Sequence, residues 1–229
     1  MKKLNQYIQE KFILNKNTKP IYNYYPKTRE ELIEILEERL KEDKNANLND
    51  IDVSKVTDMN NLFVGLDPHN IDISKWKVSM DITNMSDMFN GCENFNSNLS
   101  KWDVSTVDDM NGMFSDCKRF NSDLSKWDVS NVEDMGYMFN GCENFNSDLS
   151  KWDVSTVDNM RGMFKGCTKF NCDLSKWEVS KVKDMAFMFN ECEIFNSDLS
   201  NWNVSEVKDM TYMFNECNSL KNKPSWYKE

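Results

Sequence analysis

The feature that most constrains this chain is a period. Tryptophan returns at Trp76, Trp102, Trp127, Trp152, Trp177 and Trp202, one step of 26 followed by four of 25. Cysteine keeps pace at Cys92, Cys117, Cys142, Cys167, Cys192 and Cys217. From Trp127 one unit reads WDVSNVEDMGYMFNGCENFNSDLSK, with apolar positions Trp127, Val129, Val132, Met135, Met138, Phe139, Cys142, Phe145 and Leu149. Nearly everything else is polar, which reconciles a mean hydropathy of −0.70 with 12% aromatic residues. A unit this polar cannot bury its apolar residues alone, so the copies must stack on one another. A degenerate first copy begins at Ile51, with Val53, Met59, Leu62, Phe63 and Leu66, so about seven rungs run from 51 to the last residue.

Between Val132 and Cys142 the apolar steps are three, three, one and three, the stripe of an amphipathic helix. Ser130 with Glu133 matches a capping box, as do Ser105 with Asp108 and Ser155 with Asp158. Gly141 and Gly166 stand where such a helix would stop. The following FNSDLSKW predicts a short strand that pairs with the next rung. The expected fold class is therefore α/β: a leucine-rich-repeat-like solenoid of about seven rungs, each a short strand plus a short helix. Residues 1–50 lie outside the repeat and form a helical cap or leader, and 51–229 form the repeat with its C-terminal cap. Thr28, Arg29, Glu30 and Glu31 predict a helix start, with Leu32, Ile33, Leu36 and Leu40 on its apolar side. Pro224 falls where the last rung would pair with a successor and cannot donate to that ladder.

The unit F-N-x-D-L-S-x-W-x-V-S-x-V-x-x-M-x-x-M-F-x-x-C resembles the 25-residue repeats of BspA-like leucine-rich-repeat-like surface proteins of mycoplasmas and gut bacteria, over about 51–217. The resemblance implies a leucine-rich-repeat-type solenoid used in binding, without known enzymatic activity, in relatives that are commonly secreted or lipid-anchored. The start MKKLNQYIQEKFILNK has no apolar core of a secretory signal, which points to a cytoplasmic or virion-associated protein. Met1-Lys2, Tyr7-Ile8 and Glu10 resemble the leaders of internal head proteins of large tailed bacteriophages, which implies processing after Glu10. Leu4, Ile8 and Phe12 equally make one side of a second cap helix.

Composition narrows the chemistry. The single histidine, His69, removes the histidine-based metal sites and triads. A net charge of −10 argues against direct binding of nucleic acid or anionic lipid, and no apolar run is long enough for a membrane span. The cysteine column reads as small buried hydrophobes, and several such thiols favour a reducing compartment. Cys172 replaces the serine of 122, 147 and 197 and reads as a surface substitution or a reactive thiol. Asn96, Asn121, Asn146, Asn171 and Asn196 form a column suited to bonding from rung to rung. Asp123, Asp148, Asp173 and Asp198 alternate with lysines as a solvated face, since calcium-binding turns need glycines absent from NSDLSKW. The expectation is no enzyme, no cofactor and no metal.

The rungs differ among themselves chiefly on the predicted helix and the turn after it, where Tyr137, Arg161, Phe187, Ile194 and Tyr212 supply aromatic, apolar and cationic character. That is the composition of interface anchors, and these five are the candidate partner-binding residues. The function read from the sequence is a monomeric, non-enzymatic scaffold that binds a protein partner. The alternatives are a phage virion or host-takeover protein addressed by its first residues, and an acidic decoy of nucleic-acid-binding proteins.

Overall fold

The three-residue apolar step is made by reverse turns, not by a helix. In the computed structural model, which describes residues 22–228, Met138 donates its N–H to the Met135 carbonyl at 3.2 Å. Cys142 donates to Phe139 and Phe145 to Cys142, each at 3.0 Å, and Trp127 to Leu124 and Val132 to Val129 at the same distance. Each bond closes a four-residue turn whose first and last side chains are both buried. Two residues per rung are left-handed, Tyr137 at φ 55° and Gly141 at φ 70° in this copy. The first column continues through Asp87, Gly112, Gly162, Phe187 and Tyr212, the second through Gly91, Asp116, Gly166, Glu191 and Glu216. A right-handed helix cannot pass through either.

The intervening N–H groups serve the next rung. Met135, Tyr137, Phe139 and Gly141 donate to the carbonyls of Asn159, Arg161, Met163 and Lys165 at 2.7–3.0 Å. The same four positions donate forward from the rungs beginning at Met85, Met110, Met160 and Met185. Backbone donors therefore alternate between closing a turn within the rung and tying it to its successor, which accounts for the interior polar groups. The pairing never extends into a strand: single parallel bridges link Asn84, Asp109, Asp134, Asn159, Asp184 and Asp209 in turn, with two more, Tyr24 to Ile51 and Asn47 to Asp72, near the start.

This overturns the expected α/β solenoid of seven strand-plus-helix rungs with a helical cap. Among the described residues there is one helix, α1 (Arg29–Glu42), and no sheet. The supposed capping serines sit instead in turns closed by the aspartate before them, as when Ser130 donates to Asp128 through N–H at 3.1 Å and hydroxyl at 2.7 Å. Contacts of this kind hold Asp103 and Asp153, through Ser105 and Ser155, and in another column Asp123 and Asp148, through Ser125 and Ser150, below the usual carboxylate range.

Side-chain columns fill the interior. Phe114, Phe139, Phe164 and Phe189 stack at 5.7–5.8 Å, and Phe145 lies 4.0 Å from Phe139 within one rung. Each buried indole donates to a backbone carbonyl of the rung before, Trp102 to Ile73 at 3.3 Å and the rest to a leucine, as Trp152 to Leu124 and Trp177 to Leu149 at 3.0 Å. Trp226 extends this column, 6.4 Å from Trp202 and bonded to the Leu199 carbonyl, while Pro224 takes the leucine's buried place. The 25-residue count misses Trp226 because it falls one residue early. The asparagine column is a ladder: Oδ1 of Asn96, Asn121, Asn146 and Asn171 accepts the N–H of the asparagine 25 residues on, at 2.8–2.9 Å.

At the other end α1 starts at Thr28, whose hydroxyl accepts the Glu31 N–H, and it buries Leu32, Leu36 and Leu40 in the common core. Arg29 donates to the Asn60 carbonyl and Lys44 to that of Leu66. The leader and second cap helix expected from Leu4, Ile8, Phe12 and Glu10 lie outside the described residues.

Every cysteine is buried and unpaired. Cys117, Cys142 and Cys167 each donate to a phenylalanine carbonyl one rung back at 3.0 Å. Cys172 is neither superficial nor activated: its sulfur accepts the Leu149 N–H at 3.2 Å, the part Ser147 plays for Leu124, and burial pushes its pKa up to about 11. Cys92 is pushed up to about 12 for the same reason. Thiolate is the reactive form, so a disulfide reagent at pH 8 should label no cysteine rapidly in the folded chain and all seven after denaturation. A fast-reacting thiol in the folded chain would contradict this packing.

Candidate functional site

The left-handed column at Asp87, Gly112, Tyr137, Gly162, Phe187 and Tyr212 is where the rungs depart most from one another. Glycine and aspartate are the ordinary occupants of such a backbone, and an aromatic residue there costs roughly 1–2 kcal/mol. The chain bears that cost at Tyr137, Phe187 and Tyr212, with φ of 55°, 60° and 55°.

Stacking brings these side chains around Arg161. Its Nε donates to the Tyr137 hydroxyl at 2.9 Å, and its Nη1 reaches Asp184 at 3.2 Å and Asp209 at 3.3 Å. The guanidinium lies 5.2 Å from the centre of the Phe187 ring, with the Lys165 ammonium at 5.9 Å. Phe187 in turn meets Tyr212 at 5.5 Å. The Tyr137 ring lies over Gly162, where a Cβ would come within 2.6 Å of it. The result is a ridge across four rungs, half-buried at Tyr137, Arg161 and Phe187 and 59% exposed at Tyr212.

Electrostatics fix the arginine rather than activate it. The Tyr137 hydrogen bond, then Asp184, raises the Arg161 pKa further above its ordinary range. Thr211, and after it Arg161, holds Asp209 below the usual carboxylate range. Asp109, four bridges down the same column, moves the other way because burial disfavours its charge. With the Arg161 side chain one-third exposed, each of its ion pairs contributes about 0–1 kcal/mol.

Four of the five residues expected at a partner surface therefore meet: Tyr137, Arg161, Phe187 and Tyr212. Ile194 does not join them. It is 45% exposed and belongs to another column, with Arg119, Asn144 and Lys169. Sequence reasoning missed Asp184 and Asp209, whose signal was the Asn84, Asp109, Asp134 and Asn159 register read forward by 25. Among the described residues no group of three or more histidine, cysteine, aspartate or glutamate side chains is placed to hold a metal, and no helix is long and apolar enough to cross a membrane.

The family model described as "Mycoplasma protein of unknown function, DUF285" matches residues 34–150 and again 116–227. The chain belongs to this family. No curated protein and no solved structure matched it. The two DUF285 matches overlap from 116 to 150, as a motif made of interchangeable rungs must, and the second contains the whole Arg161 ridge.

Proposed function

We propose that this DUF285 chain is a non-enzymatic binding scaffold whose protein partner sits on the ridge of Tyr137, Arg161, Phe187 and Tyr212. The observation that carries the reading is the run of aromatic residues in a left-handed column, where glycine would be more stable. Backbone cost kept at an exposed surface is the pattern of a site maintained for use. The composition agrees, because tyrosine, phenylalanine and arginine dominate interface centres. The resemblance to BspA-like binding proteins points the same way.

Glycine at Tyr137, Phe187 and Tyr212 tests this. At the exposed Tyr212 the change should be neutral or stabilise by about 1 kcal/mol, because it relieves the left-handed backbone. A tagged chain, cross-linked in extracts of its native source, should capture a partner that the triple variant does not. Undiminished capture by a folded triple variant would remove the ridge from the interface.

A further inference from the structure

The joint between rungs uses donors and acceptors together. In five consecutive copies, beginning at Met85, Met110, Met135, Met160 and Met185, four alternate N–H groups donate to the next rung. Just before that run a carbonyl accepts an N–H from the next rung, as those of Asp108, Glu133, Asp158 and Lys183 do at 2.7–2.9 Å. In the last rung the Lys208 carbonyl and the Met210 and Tyr212 N–H groups hold these places, and they have no backbone partner among the described residues. All three residues line a cavity of about 610 Å³, within the roughly 300–1,000 Å³ of small-ligand sites. Tyr212 is also the last residue of the ridge. Its ring meets Phe187 at 5.5 Å, yet the residue is 59% exposed. Tyr137, at the same place and the same φ of 55°, lies over Gly162 of the next rung. Tyr212 has no described rung to lie over and lines the cavity instead, together with Met210 and Tyr227.

We propose that this cavity receives a tyrosine side chain of the partner that sits on the ridge, its ring against Tyr212 and its hydroxyl at the Lys208 carbonyl and the Met210 and Tyr212 N–H groups. The source of the ring rests on the ridge reading; the cavity does not. A ring is selected because Phe187 and Tyr212 already pair ring to ring, and a third ring on the open side of Tyr212 continues that contact. A hydroxyl is selected because the lining offers an acceptor and donors two residues apart. It gives one proton and has two lone pairs, so it serves the carbonyl and an N–H at once. Phenylalanine would cover these groups and leave them unpaired, and an indole N–H would satisfy the acceptor alone. Charge selects nothing, since the lining holds Asp209 and Glu216 as well as Lys208 and Lys228. Nor is there an edge for a strand. The last rung is a run of turns, closed from Met213 to Met210 and from Cys217 to Phe214, which suits one inserted side chain.

Blocked single amino acids test the cavity without the partner. In an amide NMR titration of the full chain, N-acetyltyrosinamide should shift the N–H signals of Met210 and Tyr212 saturably and leave those of Gly112 and Gly162, already paired, in place. N-acetylphenylalaninamide should bind at least about fivefold more weakly, and N-acetylleucinamide should not saturate. Tyr212→Gly should weaken the tyrosine probe at least about tenfold and Tyr212→Phe should retain it, with unmoved Met160 and Phe164 signals marking an intact stack. The source is read by placing photoreactive benzoylphenylalanine at the exposed Lys228 and mapping its cross-link in extracts of the native source. The partner peptide should contain a tyrosine whose change to phenylalanine lowers capture. Equal binding of the tyrosine and phenylalanine probes, or unmoved Met210 and Tyr212 signals up to the solubility limit of the tyrosine probe, would overturn the site. A cross-linked peptide without tyrosine, or no cross-link while the tyrosine probe binds, would overturn the partner as its source. Undiminished capture by the triple glycine variant removes the ridge and leaves the probe titration standing, so the two failures are read apart.

Discussion

Phe139→Ala is expected to destabilise the chain by about 3–5 kcal/mol, the range for removing a large buried aromatic side chain. Phe139 is fully buried, with Phe145 at 4.0 Å in its own rung and Phe114 and Phe164 at 5.7 and 5.8 Å on either side. Those neighbours cannot close on the vacancy, because each is tied to its own successor: Phe114 donates to Met138 and Phe164 to Met188 at 2.9 Å. Alanine keeps the backbone contacts, so the loss isolates the ring. Phe214 is the control. It is nearly as buried, yet within the phenylalanine column it has Phe189 on one side, and Tyr227 meets it edge-on at 5.0 Å on the other. Phe214→Ala should cost less and leave a single unfolding transition. A weakened rung in mid-stack severs nearest-neighbour coupling, so Phe139→Ala should broaden or split the urea transition. Equal costs for the two variants would mean that the column does not carry stability from rung to rung.

The period was legible because it is a packing rule: each apolar residue named in the Trp127 unit is buried. The backbone path was not, because a turn closed from residue i to i+3 and a helix both place side chains three apart on one side. What separates them is the residue between. Gly162 and Gly112 sit in the middle of the supposed helices, where glycine costs about 1 kcal/mol, and this was the contrary signal. Gly141 and Gly166 read as helix stops but share their left-handed column with Asp116, Glu191 and Glu216. The ridge was half legible. Tyr137, Arg161, Phe187 and Tyr212 stand out as departures from the repeat, but their meeting depends on each rung lying one register behind the next. That register, not composition, separates Ile194 from them and adds Asp184 and Asp209.

Gly162→Val should combine two costs at the centre of the ridge. Its φ of 57° admits a β-branched side chain only with strain, worth about 1–2 kcal/mol. The added Cβ would also meet Tyr137 Cε1 at 2.6 Å and Cδ1 at 2.7 Å, and overpacking of that kind costs about 1–3 kcal/mol. The ring can escape by swinging outward, at the loss of its 2.9 Å hydrogen bond from Arg161. Stability and the shape of the ridge therefore change together. Gly162→Asn should be milder, since asparagine tolerates this backbone, although its Cβ still meets the ring. A double-mutant cycle divides the effect: in a Tyr137→Gly background the overlap disappears while the backbone strain stays, so Gly162→Val should lose about half its cost there. Chemical denaturation of the four proteins measures this coupling. If Gly162→Val costs the same with and without the Tyr137 ring, the ring does not rest on the glycine, and the ridge is not held from below as its geometry requires.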